Sequence, residues 1–159
     1  MKLAKAFAEI DSADREPAAT TVKRYMPIGS VSGSGVVSVS AFDAIVQQQQ
    51  LQFRGVRFEV SSADEYGVDG LVTVAEENAE KLISSLETLA NAHITTEKYA
   101  LTEVETNVDE LRVVVFNTEA GSIMAAVEAQ GTICHLMMQR ELLDLAKLVS
   151  LALEHLRKN

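Results

Sequence analysis

The feature that most constrains this fold is the last third of the chain, residues 101–157, where short strand-like segments lead into one long amphipathic helix. Alternation of apolar and polar residues is typical of a strand with one face in water, whereas a continuous apolar run is typical of a strand buried on both faces. Residues 113–116, Val-Val-Val-Phe, are of the second kind. Both faces of the predicted sheet therefore need cover, from two helices, the N-terminal segment or a second copy of the chain.

Strand and helix patterns divide the chain into two strand-rich blocks, each ending in a helix. Three strands are predicted in the first block, at residues 36–40, 51–60 and 71–74. Four strands, forming an antiparallel meander, are predicted in the second, at residues 101–106, 111–116, 122–129 and 132–137. Apolar residues at helical spacing predict the closing helices, from about Glu76 to His93 and from Gln139 to Leu156. The predicted fold class is α+β, an antiparallel meander sheet packed by two amphipathic helices.

The N-terminal segment differs in composition from the rest of the chain. Residues 1–35 are expected to hold a short helix and then a Gly/Ser-rich loop over residues 26–35. Residues 36–159 then form a single α+β domain. A duplicated arrangement, βββα in 36–92 and ββββα in 101–157, is one interpretation of its element order, although the two halves match poorly residue by residue.

Two local features of the first block lead to further expectations. The segment after Ser40 is expected to form a short helix, capped by Ser40 and running through the glutamines at 47–50. Gly55 shifts the apolar phase between Phe53 and Val56, which predicts a bulge or tight turn there.

The order of elements resembles that of PUR-type and PC4-type folds, which are built from four strands and a helix, although no motif of either accompanies it. This resemblance implies single-stranded nucleic-acid binding, for which the candidate contacts are the basic residues Lys23, Arg24, Arg54 and Arg57. Charge argues against that function, because residues 61–159 hold seven Lys/Arg against seventeen Asp/Glu and would repel a polyanion. Aromatic residues, the usual stacking platforms for bases, make up only 5% of the chain.

The last two predicted strands form a hairpin whose pairing follows from a two-residue turn at 130–131. Ala129 then pairs with Thr132, Glu128 with Ile133, Val127 with Cys134, Ala126 with His135 and Met124 with Met137. Both faces of this hairpin are largely apolar. The candidate interface residues on the second face are Phe116, Met124, Ile133 and Met137, and a homodimer is the expected way to cover them.

Catalytic motifs are absent from the sequence, so we do not expect an enzyme. Cys134 and His135 are adjacent in a strand and point to opposite faces, which excludes a simple thiolate–imidazolium pair. His135 lies diagonally near Glu128 in the predicted hairpin. These two residues are therefore the candidate ligand-binding or acid/base pair if the protein has a pocket.

The chain is acidic, with a net charge of −9, and no segment is long and apolar enough for a membrane helix. A single cysteine excludes an intrachain disulfide and fits the cytoplasm. No metal site or cofactor is expected, because the acidic residues show no ligand spacing. The leading prediction is a non-catalytic, cytoplasmic protein-interaction or assembly module, homodimeric or bound to another protein. The alternatives are a small enzyme or ligand-binding protein, and a single-stranded nucleic-acid binder.

Overall fold

The computed structural model describes residues 21–46, 51–62, 70–94, 103–118, 120–129 and 132–158, and it leaves the side chains of 21–24, 46, 62 and 132–135 undescribed. These residues form two four-stranded antiparallel sheets and two helices, in the order ββββα followed by ββββα. The α+β class and the predicted meander are confirmed. The repeated order of elements is more regular than expected, because the first half also contains four strands.

The first sheet is a meander of β1 (Thr21–Ser32), β2 (Gly35–Val46), β3 (Leu51–Ser62) and β4 (Gly70–Ala75). Its helix, α1 (Glu76–Ala90), begins directly after β4. Alternate residues of β2 and β3, including Val39, Val56 and Phe58, form the inner face of the sheet and are almost wholly buried. Full burial of a side chain such as Phe58 contributes roughly 1.5–3 kcal/mol.

The second sheet repeats this design with shorter strands, β5 (Glu103–Val108), β6 (Leu111–Asn117), β7 (Ile123–Ala129) and β8 (Thr132–Met138). A 3-10 turn, Gln139–Glu141, leads into the last helix, α2 (Leu142–Lys158). Its stripe of Leu142, Leu145, Val149, Leu153 and Leu156 is buried, as the helical spacing predicts.

Each helix packs partly against the sheet of the other half. α2 lies against β1, β2 and β3 of the first sheet, and α1 contacts β5 and β6 of the second as well as β3 and β4. The two helices also pack against each other, and their buried residues share one core cluster with the inner faces of both sheets. α2 approaches β1 so closely that a Cβ on Gly29 would lie 2.8 Å from Cδ2 of Leu148. The two halves therefore share a single core.

In each half, the turn of the first hairpin contacts the last strand of the other half. Between β1 and β2, Ser34 donates its backbone N–H to the carbonyl of Leu136 and accepts the Leu136 N–H with its hydroxyl, at 3.0 and 2.7 Å. Between β5 and β6, the carboxylate of Asp109 accepts the backbone N–H of Ala75 and the side-chain amide of Asn78, both at 2.9 Å. Asp109 thereby satisfies donors at the N-terminus of α1.

The opposite end of α1 is also completed by the second half. The side-chain amide of Gln139 donates to the carbonyl oxygens of Leu89 and Ala92, at 2.9 and 2.7 Å. Carbonyls in the last turn of a helix lack intrahelical partners, so this contact replaces hydrogen bonds that water would otherwise make. Both ends of α1 thus depend on residues that come later in the chain.

Two predictions about the first half are wrong. Residues 26–32, predicted as loop, belong to β1, and the turn is confined to residues 33–34. Pro27 is tolerated because β1 is an edge strand, and a register shift between Pro27 and Gly29 leaves Ile28 as an extra residue. Residues 41–46, predicted as helix, continue β2, since they pair with both β1 and β3. The helix predicted near the N-terminus, residues 47–50 and the hairpin corner at 130–131 lie outside the described residues.

The prediction of a bulge at Gly55 is also wrong, because β2 and β3 pair without a shift through this position. A Cβ at Gly55 would overlap the carbonyl oxygen of Val74, because the two atoms would be much closer than their van der Waals contact distance. The glycine therefore serves a close approach between β3 and β4. The apolar phase changes there because Phe53 lies on the outer face, whereas Val56 and Phe58 lie on the inner one.

Candidate functional site

The outer face of the second sheet is the most apolar surface that the described helices leave open. Two rows of paired residues cross it, Val114–Ala126–Leu136 and Phe116–Met124–Met138. Leu136 and Met138 are 37% and 48% exposed, Phe116 and Met124 are half-buried, and Val114 and Ala126 are buried. None of the six belongs to the core cluster that contains the buried residues of both helices. Among the described residues, then, no helix covers this face.

A charged row borders these apolar rows on the same face. Arg112 donates from Nη1 to Oε2 of Glu128 at 2.8 Å and from Nε to Oε2 of Glu105. These hydrogen bonds raise the pKa of the Arg112 guanidinium above its usual value, and the one that it donates to Glu128 has the larger effect. The group therefore stays charged. Glu128 is 7% exposed and depends on Arg112 for compensation of its charge.

The outer face of the first sheet is built from different residues. Its two matching rows are Ser40–Arg57–Thr73 and Phe42–Gly55–Ala75. The Arg57 guanidinium lies 3.8 Å from the centroid of the Phe42 ring and donates from Nε to the Thr73 hydroxyl at 3.2 Å. Phe42 is fully buried and Arg57 is 5% exposed. This face is closed by polar contacts and small residues.

The four predicted interface residues do not all lie on one face. Phe116 and Met124 pair with each other on the outer face. Met137 is 2% exposed and belongs to the core, so its assignment to that face is wrong. The physical cause is a register shift next to Glu128, which leaves Cys134 as an extra residue and pairs Met124 with Met138. The side chain of Ile133 lies outside the described residues.

The predicted His135–Glu128 pair rested on the register that this bulge changes. Glu128 still pairs with Ile133, but His135 pairs with Val127 instead of Ala126. Val127 is a core residue, whereas Glu128 lies on the outer face with Arg112. The His135 side chain is outside the described residues, and the described partner of the Glu128 carboxylate is Arg112.

The basic residues proposed for nucleic-acid contact do not share one surface. Arg57 is buried on the outer face of the first sheet, and Arg54 belongs to the same strand but to the opposite face, three residues earlier. Arg54 lies 3.7 Å from Glu76 through its Nη1 atom. The side chains of Lys23 and Arg24 lie outside the described residues. Arg57 and Arg54 thus form no basic patch together.

Sequence reasoning missed Leu136, Met138 and Arg112. The predicted register places Leu136 on the opposite face, because a one-residue slip in a strand exchanges its faces, and Met138 lies beyond the predicted end of the strand at residue 137. Arg112 precedes the apolar run of its strand. The signal for its role is its position opposite Glu128, on a strand that the sequence predicts as a neighbour. The bulge at Cys134 has no glycine or proline to mark it.

Comparisons of the chain with protein-family models, with curated proteins and with solved structures find no match. Within the described ranges, no three His, Cys, Asp or Glu side chains are grouped so that they could hold a metal ion. Neither described helix is long and apolar enough to cross a membrane. A functional assignment must therefore rest on the geometry of this chain.

Proposed function

We propose that the protein is a non-catalytic assembly module that forms a homodimer through the outer face of its second sheet. The observation that carries the proposal is the pair of apolar rows on that face, with Leu136 and Met138 exposed at 37% and 48%. Exposed apolar side chains that continue a largely apolar face are a common feature of protein interaction sites. A cytoplasmic location remains part of the proposal and is supported by the single cysteine, Cys134.

A second copy of the chain is the proposed occupant because the face is suited to two-fold pairing. In a two-fold interface the same patch meets itself, so apolar rows on one copy pack on the same rows of the other. Arg112 lies beside these rows and Glu105 pairs with Val114 at the end of one of them, and both side chains remain partly in water at the rim. Charged residues at a rim and apolar residues at the centre are typical of stable interfaces.

The net charge of −9 gives this proposal a distinctive dependence on salt. Two identical acidic chains repel each other at long range, and added salt screens that repulsion within a Debye length of about 10 Å at 0.1 M. Dimerisation should therefore strengthen as salt rises. Binding of a basic partner to the same acidic chain would weaken instead.

The first experiment is light scattering coupled to size-exclusion chromatography. We expect a mass of twice 17.3 kDa for the wild-type chain and a monomer for Met138→Lys, because a buried lysine would have no partner in the interface. Leu151→Lys is the matched control, since Leu151 is an equally exposed apolar residue, 44%, on α2. It should remain dimeric.

Three outcomes would contradict the proposal. A monomeric wild-type chain at concentrations of about 100 μM would exclude a useful homodimer at that affinity. A Met138→Lys variant that stays dimeric would place the interface elsewhere. Weakening of the dimer by salt, measured by sedimentation, would point to a partner surface of opposite charge.

A further inference from the structure

A cleft lies at the open end of the first sheet's inner face, next to the last turns of α2. Its volume is about 240 Å³, and none of its lining residues belongs to the outer face of the second sheet. Met26 and Leu156 give it an apolar side, Asp43, Arg54 and His155 are its ionisable lining residues, and Tyr25 borders it. Asp43 and Arg54 are directly paired residues of β2 and β3, so they share this face.

The guanidinium of Arg54 is only partly compensated. Its Nη1 atom lies 3.7 Å from Oε2 of Glu76, which is too far for a hydrogen bond. Its Nε and Nη2 atoms are buried and have no hydrogen-bond partner in the described part of the chain. Arginine does not lose its proton in proteins, so these donors remain charged and cost free energy while they lack an acceptor.

Nε and Nη2 together form one side edge of the guanidinium. This edge presents two parallel N–H bonds whose spacing matches the two oxygens of a carboxylate or of a phosphate. Asp43, which pairs with Arg54 across the two strands, accepts a hydrogen bond from the Gln52 amide at 3.1 Å and none from this edge. The edge is therefore left for an acceptor that the described residues do not supply.

We propose that this cleft binds a small carboxylate with an apolar substituent, held by the Nε–Nη2 edge of Arg54. A carboxylate is favoured over a phosphate because Asp43 also borders the cleft and would repel a second negative charge. The apolar substituent would lie against Met26 and Leu156. Entry requires a wall side chain to move, and Met26 is unbranched and 46% exposed, which suits it to that role.

The test uses the whole protein and four probes: sodium butyrate, sodium phosphate, 1-butanol as the neutral analogue, and sodium chloride at matched ionic strength. Binding is followed by the NMR signal of the Arg54 Nε–H, assigned with Arg54→Lys. We expect butyrate to shift this signal with a dissociation constant of about 1 mM, since so small a ligand makes few contacts. The other three probes should leave it unchanged.

Variants then identify the group responsible. Arg54→Lys keeps the charge but loses the parallel N–H pair, and we expect about tenfold weaker binding of butyrate, measured by calorimetry. Arg140→Lys, a change at an exposed arginine outside the cleft, should bind butyrate as the wild type does. Asp43→Asn removes the repulsion and should bind butyrate about threefold more tightly.

The proposal is overturned if butyrate causes no shift up to about 20 mM, well above the expected dissociation constant. Equal binding of 1-butanol would reduce the cleft to an apolar cavity, and stronger binding of phosphate would exclude the carboxylate assignment. Should Arg54→Lys fail to fold, the Asp43→Asn variant decides, because unchanged or weaker binding there contradicts the proposed charge balance. None of these outcomes depends on the oligomeric state.

Discussion

Phe42 in the first sheet and Phe116 in the second occupy corresponding positions, and their neighbours differ in kind. Counted back from the strand that precedes each helix, the row Phe42–Gly55–Ala75 corresponds to Phe116–Met124–Met138. The next row replaces Ser40–Arg57–Thr73 with Val114–Ala126–Leu136. Where the first half has polar or small residues, the second half has apolar ones.

The inner faces of the two sheets are alike because the fold requires them, whereas the outer faces differ and so reflect something other than the fold. Both halves need apolar inner faces, because both contribute to the shared core. The first half closes its outer face with Arg57 lying over the Phe42 ring, whereas the second buries Val114 and Ala126 but leaves Leu136 and Met138 exposed. The exposed Leu136 and Met138 are therefore no requirement of the fold, which is why they support an interface.

The largest effect is expected at Gly55, where the corresponding residue of the second sheet is Met124. Gly55→Ala should lower the free energy of unfolding by about 2–3 kcal/mol, since the added methyl group meets the Val74 carbonyl. Met124→Ala, made in the Met138→Lys background to remove dimerisation, should cost less than about 1 kcal/mol. Urea denaturation compares the two. Equal losses would show that the outer faces are under the same packing constraint.

The next effect comes from transferring the polar row of the first sheet to the second. The double variant Ala126→Arg and Leu136→Thr should place a guanidinium near the Phe116 ring, as Arg57 lies over Phe42. We expect the dimer dissociation constant to rise at least about tenfold, because polar groups would be desolvated in the interface. Sedimentation measures this change, and circular dichroism checks that the monomer is folded. A dimer of undiminished affinity would rule out this face.

A smaller difference is expected between the two hairpin tips. Asp109→Ala removes an acceptor shared by Ala75 and Asn78 and should cost about 1–2 kcal/mol, as loss of a helix cap does. Ser34→Ala removes one hydrogen bond to Leu136 and should cost about 0.5–1.5 kcal/mol. Asp109→Asn is the control, since its amide oxygen can still accept and asparagine tolerates the φ of 47° at this turn. A larger loss of unfolding free energy for Ser34→Ala than for Asp109→Ala would show that the first hairpin tip contributes more stability than the second.

The smallest effect concerns Tyr25, which pairs with Phe42 at the edge of the first sheet. Burial, as the main cause, raises the pKa of the Tyr25 phenol. Because the folded-state pKa is raised, the protonated phenol contributes to the free energy of unfolding. That contribution is fully present below the unfolded pKa of about 10 and is lost as pH rises through the folded-state pKa. Tyr25→Phe should therefore lose slightly less stability than the wild type between about pH 8 and pH 11 in urea titrations. Identical alkaline profiles would contradict this.

Periodicity was sufficient for much of the fold, because most elements carry a clear apolar pattern. The strands of the second half and both helices were predicted within a few residues of their observed bounds. β1 was missed because Pro27, Gly29 and the serines around them are typical of loops. At an edge strand those residues are tolerated, since one side of the backbone needs no partner in the sheet.

The surface residues were harder to predict, because they depend on register and on contacts across the chain. One extra residue at Cys134 moved Met137 into the core and brought Leu136 and Met138 onto the outer face. The capping of α1 by Asp109 and Gln139 joins residues 31 to 50 positions apart, and no local pattern announces such contacts. Phe116 and Met124 do lie on one face, as predicted, because no bulge separates their strands.

The crossed packing of the helices has a consequence for synthesis on the ribosome. Of the described elements, α2 is translated last, yet it lies against β1, β2 and β3, which are translated first. Until then α1 alone can cover part of the valine-rich side of the nascent first sheet, and the last turn of α1 lacks its hydrogen bonds to Gln139. At roughly 5–20 residues per second, that interval lasts several seconds, during which a chaperone would have its best opportunity to bind.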